Sequence, residues 1–160
     1  WIRAADRSGN LSPIHPGSTA GVTISASRII TIDVDSNAIT QVQEYANDAA
    51  TGDVTDEADI SAGGIVITTV GGPILIIGKA TAKNIAIGET DSTLRVRRGT
   101  TNTSPLLDET SARLPSIDAP TTLVCQKVDP QFAGTNTYTL RGQSSGGQHT
   151  TFEFRRLQIM

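Results

Sequence analysis

Aromatic side chains make up only 4% of this 160-residue chain, so its core has to be assembled from Ile, Val, Leu and Ala within a hydrophobic fraction of 37%. Cysteine occurs once, as Cys125, which excludes an intrachain disulfide and a thiolate metal cluster. Within Leu123-Val124-Cys125-Gln126 it reads as a small buried hydrophobe. The two histidines are His15, between prolines, and His149, beside a glycine-rich loop. Neither position offers the rigidly oriented base that nucleophilic catalysis requires, and no Gly-x-Ser-x-Gly elbow is present. A basic excess is also lacking: 13 basic against 16 acidic residues give a net charge of −3, without the clustered positive footprint of a nucleic-acid binder. The short groups Arg95, Arg97, Arg98 and Arg155, Arg156 read as solvated strand faces. No apolar run approaches the roughly 20 residues that span a bilayer. The glycine pairs in SAGGI and VGGPI match no phosphate-binding fingerprint. The carboxylates from Asp53 to Asp59 lack the spacing of a calcium loop and read as a solvated loop. The expectation is a protein that is not an enzyme, with no catalytic set, metal, cofactor or nucleic-acid partner.

What is present is strand-forming. Thr, Ile and Val are abundant, and 15 Gly and 7 Pro supply turns. Three segments separate along the chain: residues 1–17, a strand and a turn leading to Pro13 and Pro16; residues 18–40, short apolar runs of a linker or stalk; and residues 41–160, a sandwich domain. The stretch AITQVQEYANDAA fits both helical spacing and alternation, with the β-branched Thr40 and Val42 favouring a strand. Later runs are Ile65–Val70, Ile74–Ile77, Ala80–Ile87, Thr93–Arg97 and Thr121–Val128. With no long amphipathic helix between them, they predict an antiparallel all-β sandwich. The near-continuous apolar runs suit strands covered on both faces, which implies either a second sheet and a subunit partner or a very central position. Because the chain begins at Trp1 and shows no leader, it is expected to be a piece of a longer protein.

Residues 133–160 predict a closing pair of strands around a polar glycine-rich loop at 142–150. Tyr138 and Leu140 alternate with Thr139 and Arg141, as Phe152 and Phe154 do with Glu153 and Arg155. The apolar phase then changes: Phe152 and Phe154 are even-numbered, Leu157 and Ile159 odd-numbered. Either a β-bulge lies near Arg155-Arg156, or the two pairs bury against different surfaces. The second alternative makes Leu157, Ile159 and Met160 a candidate trimer interface.

The opening Trp1-Ile2-Arg3-Ala4-Ala5-Asp6-Arg7-Ser8-Gly9-Asn10-Leu11-Ser12-Pro13 resembles the final strands of a fibronectin type III domain. The remainder resembles the C-terminal region of the tail-tip or central tail-fibre (host-specificity) proteins of long-tailed bacteriophages. The residues that carry this are Ser36-Asn37-Ala38-Ile39-Thr40, the run from Gly72 to Ala80, and Ala133 to Leu140 with the ending Arg156-Leu157-Gln158-Ile159. The resemblance implies a trimeric jelly roll like tumour necrosis factor, carried at the distal end of the virion tail. It also implies adhesion to the host surface as a function, other tail proteins as partners, and a glycan or outer-membrane protein as receptor. A purely structural role in trimerising or capping the fibre is the alternative. Since aromatics are few, a receptor site would rely on polar loops: Gly99, Thr100, Thr101 and Asn102 in one, Gln143, Ser144, Ser145, Gln148 and His149 in the other.

Overall fold

A computed structural model describes residues 42–69, 71–130, 133–145 and 148–160. The fibronectin-like segment 1–17 and the linker 18–40 lie outside the described residues. Among the described residues nine strands are formed: β1 Gln43–Asn47, β2 Ala58–Asp59, β3 Ile65–Thr69, β4 Ile74–Asn84, β5 Thr90–Arg98, β6 Leu106–Leu114, β7 Pro120–Asp129, β8 Gly134–Ser144 and β9 Thr150–Ile159. One sheet has the order β1-β9-β4-β7 and the other β2-β8-β5-β6, with β3 continuing the β2 edge along β8. Every pairing is antiparallel, and the chain crosses between sheets at most turns, which makes the fold a β-sandwich of jelly-roll order.

The ambiguous stretch around Val42 is a strand, β1, paired to β9. Two expected strands, Ile74–Ile77 and Ala80–Ile87, are one: β4 runs without a break through Gly78. Gly78 faces the opposite sheet, where an added Cβ would come within 2.6 Å of Leu140 Cδ1 and 2.8 Å of Val96 Cγ2. Gly142 plays the same part from the other side. Rather than opening a loop, it lies inside β8, and its missing side chain leaves room for the Phe152 ring, 2.5 Å from where a Cβ would stand. Leu140 and Val96 of one sheet and Phe152 of the other are thus seated over a glycine of the facing sheet, and the two inner faces close around Ile76, Leu94, Leu123, Tyr138, Leu140 and Phe152.

The phase change in β9 is a bulge. Lys79 pairs with Arg156 and Thr81 with Glu153, so Ala80 alone stands opposite both Phe154 and Arg155. Phe154 takes a left-handed backbone, φ 48°, and its ring points outward, 51% exposed. Leu157 and Ile159 return to the inner face, fully buried and nearly so. They are therefore core residues of this chain and present no surface to a subunit partner; Phe154, expected inside, is the residue on the surface. Met160 is half-buried, its backbone paired with Leu75 in both directions. Arg155 is also not on a solvated face: it is 8% exposed and donates to the carbonyls of Ile60 (2.8 Å) and Ala49 (2.9 Å).

Between β2 and β3 the edge of β8 loses its partner strand, and Ser61 fills the gap. Its hydroxyl accepts from Leu140 N–H at 3.0 Å while donating to Asp59 at 2.7 Å. Asp59 in turn accepts from the N–H groups of Ser61 and Gly63, which shapes the turn. The strand registers place the connections at two ends. Val54, residues 85–89, residues 115–119 and the β8–β9 turn lie at one end. Residues 99–105, the β3–β4 and β7–β8 turns, Gln43 and Met160 lie at the other.

Replacing Gly142 with Ala should force the Phe152 ring to move and destabilise the sandwich by about 2 kcal/mol, the usual cost of overpacking. Adding Phe152→Leu should recover part of that loss, a non-additivity read from urea unfolding midpoints of the two single variants and the double variant.

Candidate functional site

The two candidate receptor loops do not form one surface. Gly99, Thr100, Thr101 and Asn102 lie at the end that carries Gln43 and Met160, whereas Ser145, Gln148 and His149 lie at the opposite end. Gln143 and Ser144 are not loop residues: both lie in β8, and the Ser144 hydroxyl is buried against Thr150 Oγ1 at 3.1 Å. Gln143 hydrogen-bonds Arg95 across the sheet. His149 pairs with Asp53 on a neighbouring loop, both side chains remaining open to solvent.

Glu57 organises the first loop. Its Oε1 accepts from Arg97 Nε at 2.6 Å and Arg141 Nε at 2.8 Å; its Oε2 accepts from Arg97 Nη2 at 2.9 Å and Arg95 Nη1 at 2.8 Å. Spare guanidinium N–H groups of the same arginines reach the carbonyls of Ser104 (2.7 Å) and Thr100 (3.1 Å), which ties residues 99–104 to the sheet. Arg95 also pairs with Glu109 on β6. Arg95 and Arg97 are thus not solvated: their side chains are mostly covered, Arg95 donating to Glu57, Glu109 and Gln143 and Arg97 to Glu57 and the Ser104 carbonyl. Arg98 pairs instead with the buried Asp129, which also accepts from Tyr138 O–H at 3.0 Å. Burial, then the Asp129 carboxylate, raises the Tyr138 phenol well above its ordinary range.

For Glu57, burial works against ionisation, yet the guanidiniums of Arg97, Arg141 and Arg95 outweigh it and hold the carboxyl below its ordinary value. The same contact raises Arg97. Burial pushes the Cys125 thiol up to about 11, and its sulfur lies 3.2 Å from the Leu94 carbonyl, so it is the inert core residue its sequence context suggests. Asp53, Glu57 and Asp59 each have a different partner, and among the described residues no group of three or more His, Cys, Asp or Glu could hold a metal ion.

Among the described residues, two surfaces expose apolar side chains together. The outer face of β1-β9-β4-β7 exposes Val124, Val128 and Phe154 beside the half-buried Leu75 and Ile77. A shallow cleft of about 360 Å³ on this face is lined by Lys79, Thr81, Thr122, Phe154 and Arg156. The second surface is the loop end away from Gln43 and Met160, where Ile85, Ile87 and Ile117 stand in solvent. Sequence reasoning missed both, because the alternation places Phe154 in the core and Ile85 and Ile87 in the strand run Ala80–Ile87, while Ile117 falls outside every run.

No family model matches the chain, and no curated protein matches it. Among solved structures, it is similar to Eiger TNF from S. frugiperda, with 10% identity and a TM-score of 0.45 over 74% of this chain and 89% of that one. It is also similar to a chain of the infectious bursal disease virus Gx strain, at 14% identity and a TM-score of 0.40 over 74% of this chain and 31% of that chain. For the T13 particle of the same virus the values are 14% and 0.42, over 88% and 35%. The chain thus spans about a third of the viral chains. These likenesses concern the fold alone, and the jelly-roll architecture rests on the strand order itself.

Replacing Glu57 with Gln should leave three clustered guanidiniums without their carboxylate and cost about 3 kcal/mol at neutral pH. Because the folded carboxyl titrates below its ordinary 4.5, its stabilisation is complete above that pH and is lost as pH falls through the lower, folded value. The stability gap between the native protein and Glu57→Gln, measured by urea unfolding across pH, should therefore be flat above about pH 5 and narrow below it.

Proposed function

We propose that this domain is a non-enzymatic adhesion module at the distal end of a phage tail, which works as a homotrimer and contacts the host-cell surface. The tail-tip setting is carried by the resemblance of the Gly72–Ala80 run and of the closing strands. A binding role, as opposed to a chemical one, is supported by where the perturbed groups are used. Glu57, Cys125 and Tyr138, whose titration departs from the ordinary, all hold strands and loops together.

The observation that carries the trimer is the outer face of β1-β9-β4-β7. Val124 is 46% exposed, Val128 54% and Phe154 51%, and with Leu75 and Ile77 they leave one sheet face without cover. Packing against further copies removes that apolar area from water. This face replaces Leu157 and Ile159 as the interface. The same face equally favours the alternative in which the domain only trimerises or caps the fibre, so cell binding is what separates the two.

Light scattering of the 160-residue chain at micromolar concentration should give three times the chain mass, and Val124→Glu with Val128→Glu should reduce it to one. A monomeric native chain would sink the trimer. Binding of the labelled trimer to a panel of bacterial strains separates adhesion, which requires at least one strain to retain it, from a capping role, which requires none.

A further inference from the structure

We infer that the loop end opposite Gln43 and Met160 is the receptor-contacting tip, and that Ile85, Ile87 and Ile117 form an apolar plug for a recess on a host surface protein. The inference rests on the adhesion reading above and names its site and the chemistry of its partner.

Exposure is the first argument. Ile87 is 97% exposed at the head of the β4–β5 loop, Ile117 52% in the β6–β7 loop, and Ile85 38%. The two loops are joined: Asp118 N–H donates to the Asn84 carbonyl at 2.8 Å, and Lys83 pairs with Asp118 at 2.9 Å. Ile85 N–H donates to the His149 carbonyl at 3.1 Å, which brings in the β8–β9 turn. A single apolar residue on a surface is ordinary, but β-branched apolar residues on adjoining loops form a patch.

Rigidity is the second argument. Asn84 is fully buried beneath the β4–β5 loop and shapes it from inside. Its Nδ2 donates to the Gly88 carbonyl at 2.6 Å, and its Oδ1 accepts from Ala86 N–H at 2.8 Å and from Thr90 Oγ1 at 3.3 Å. Below it, the hydroxyls of Ser92, Ser144 and Thr150 form a buried cluster between the sheets, with Ser92 and Thr150 2.8 Å apart. Ile87 is thus held out on a loop whose conformation is already fixed. Binding through such a loop loses little conformational entropy.

Chemistry selects the partner. Around the isoleucines, Asp53, Glu89, Asp91 and Asp118 outnumber Lys83 and Arg113, an acidic excess that disfavours an anionic lipid or polyanionic glycan surface. Among the described residues of these loops there is no Trp, Tyr or Phe to stack on a sugar ring. An apolar centre inside a charged rim is the anatomy of a protein–protein contact.

The test uses the 160-residue chain, native and with Ile87→Asp or Ile117→Asp, titrated onto strains that retain the native protein. Portions of cells are treated beforehand with protease or with periodate. The expected result is at least a tenfold loss of binding for each variant, with the unfolding midpoint and oligomer mass unchanged, and loss of native binding after protease but not after periodate. Full binding by both variants would overturn the tip while leaving adhesion standing. Loss only after periodate would replace the protein partner by a glycan, and a change in oligomer mass would assign the patch to a neighbouring copy. Failure of the native protein to bind any strain would remove the adhesion reading and this inference with it.

Discussion

The sandwich depends on one irregularity, the bulge at Phe154-Arg155. A ten-residue strand in strict register sends alternate side chains to opposite faces. Without the extra residue, β9 could bury Phe152 or the pair Leu157 and Ile159, but not both. The left-handed turn of Phe154 costs about 1 kcal/mol for a residue with a side chain. In exchange, three large side chains reach the core from one strand, and Arg155 is carried inward to the carbonyls of Ile60 and Ala49. Those two contacts fasten the β1–β2 loop and the broken edge of β8 to the opposite sheet. The same shift expels Phe154 to the outer face. The core and the unpaired surface of that sheet are therefore consequences of a single backbone feature.

What the sequence disclosed and what it hid follow from the range of the forces involved. The change of phase between Phe154 and Leu157 is visible in the residues, and it has only two geometric solutions. Choosing between them requires knowing that Ala80 stands opposite the bulge, across more than seventy residues of chain. Tyr138 and Leu140 announce a buried strand by alternation alone. Strand β6, LLDETSARL, does not: as an edge strand it is mostly exposed, and its Asp108 and Thr110 side chains turn to the backbone of β7 at Gln126 and Val124. Polar residues that satisfy the backbone of a neighbouring edge look, in sequence, like a turn. Glu57 was illegible for a related reason. Its arginines come from β5 and β8, brought together only once the five-stranded sheet has formed.

The glycines show the same dependence. Gly142 lies in a polar, glycine-rich stretch and reads as the mouth of a loop, yet its lack of a side chain is a packing requirement set by Phe152. The true turn is shorter, starting after Ser144, and this moves Gln143 and Ser144 from a presumed recognition surface into the framework. Hydroxyl groups then take over where apolar packing ends: Ser92, Ser144 and Thr150 close the space between the sheets just beneath the loops.

That arrangement divides the molecule into parts of different adaptability. Between the sheets, every large residue is seated over a neighbour, and substitution there is paid for in stability. At the end bearing Gln43 and Met160, residues 99–104 are clamped by Arg97 and Arg141, which makes them part of the frame. At the opposite end, Asn84 and the buried hydroxyls fix the loop backbones while leaving the side chains of residues 85–89 and 115–119 almost free of contacts to the core. Side chains there can change without disturbing the fold, and a surface that can vary on an unvarying frame is what recognition of a changing partner requires.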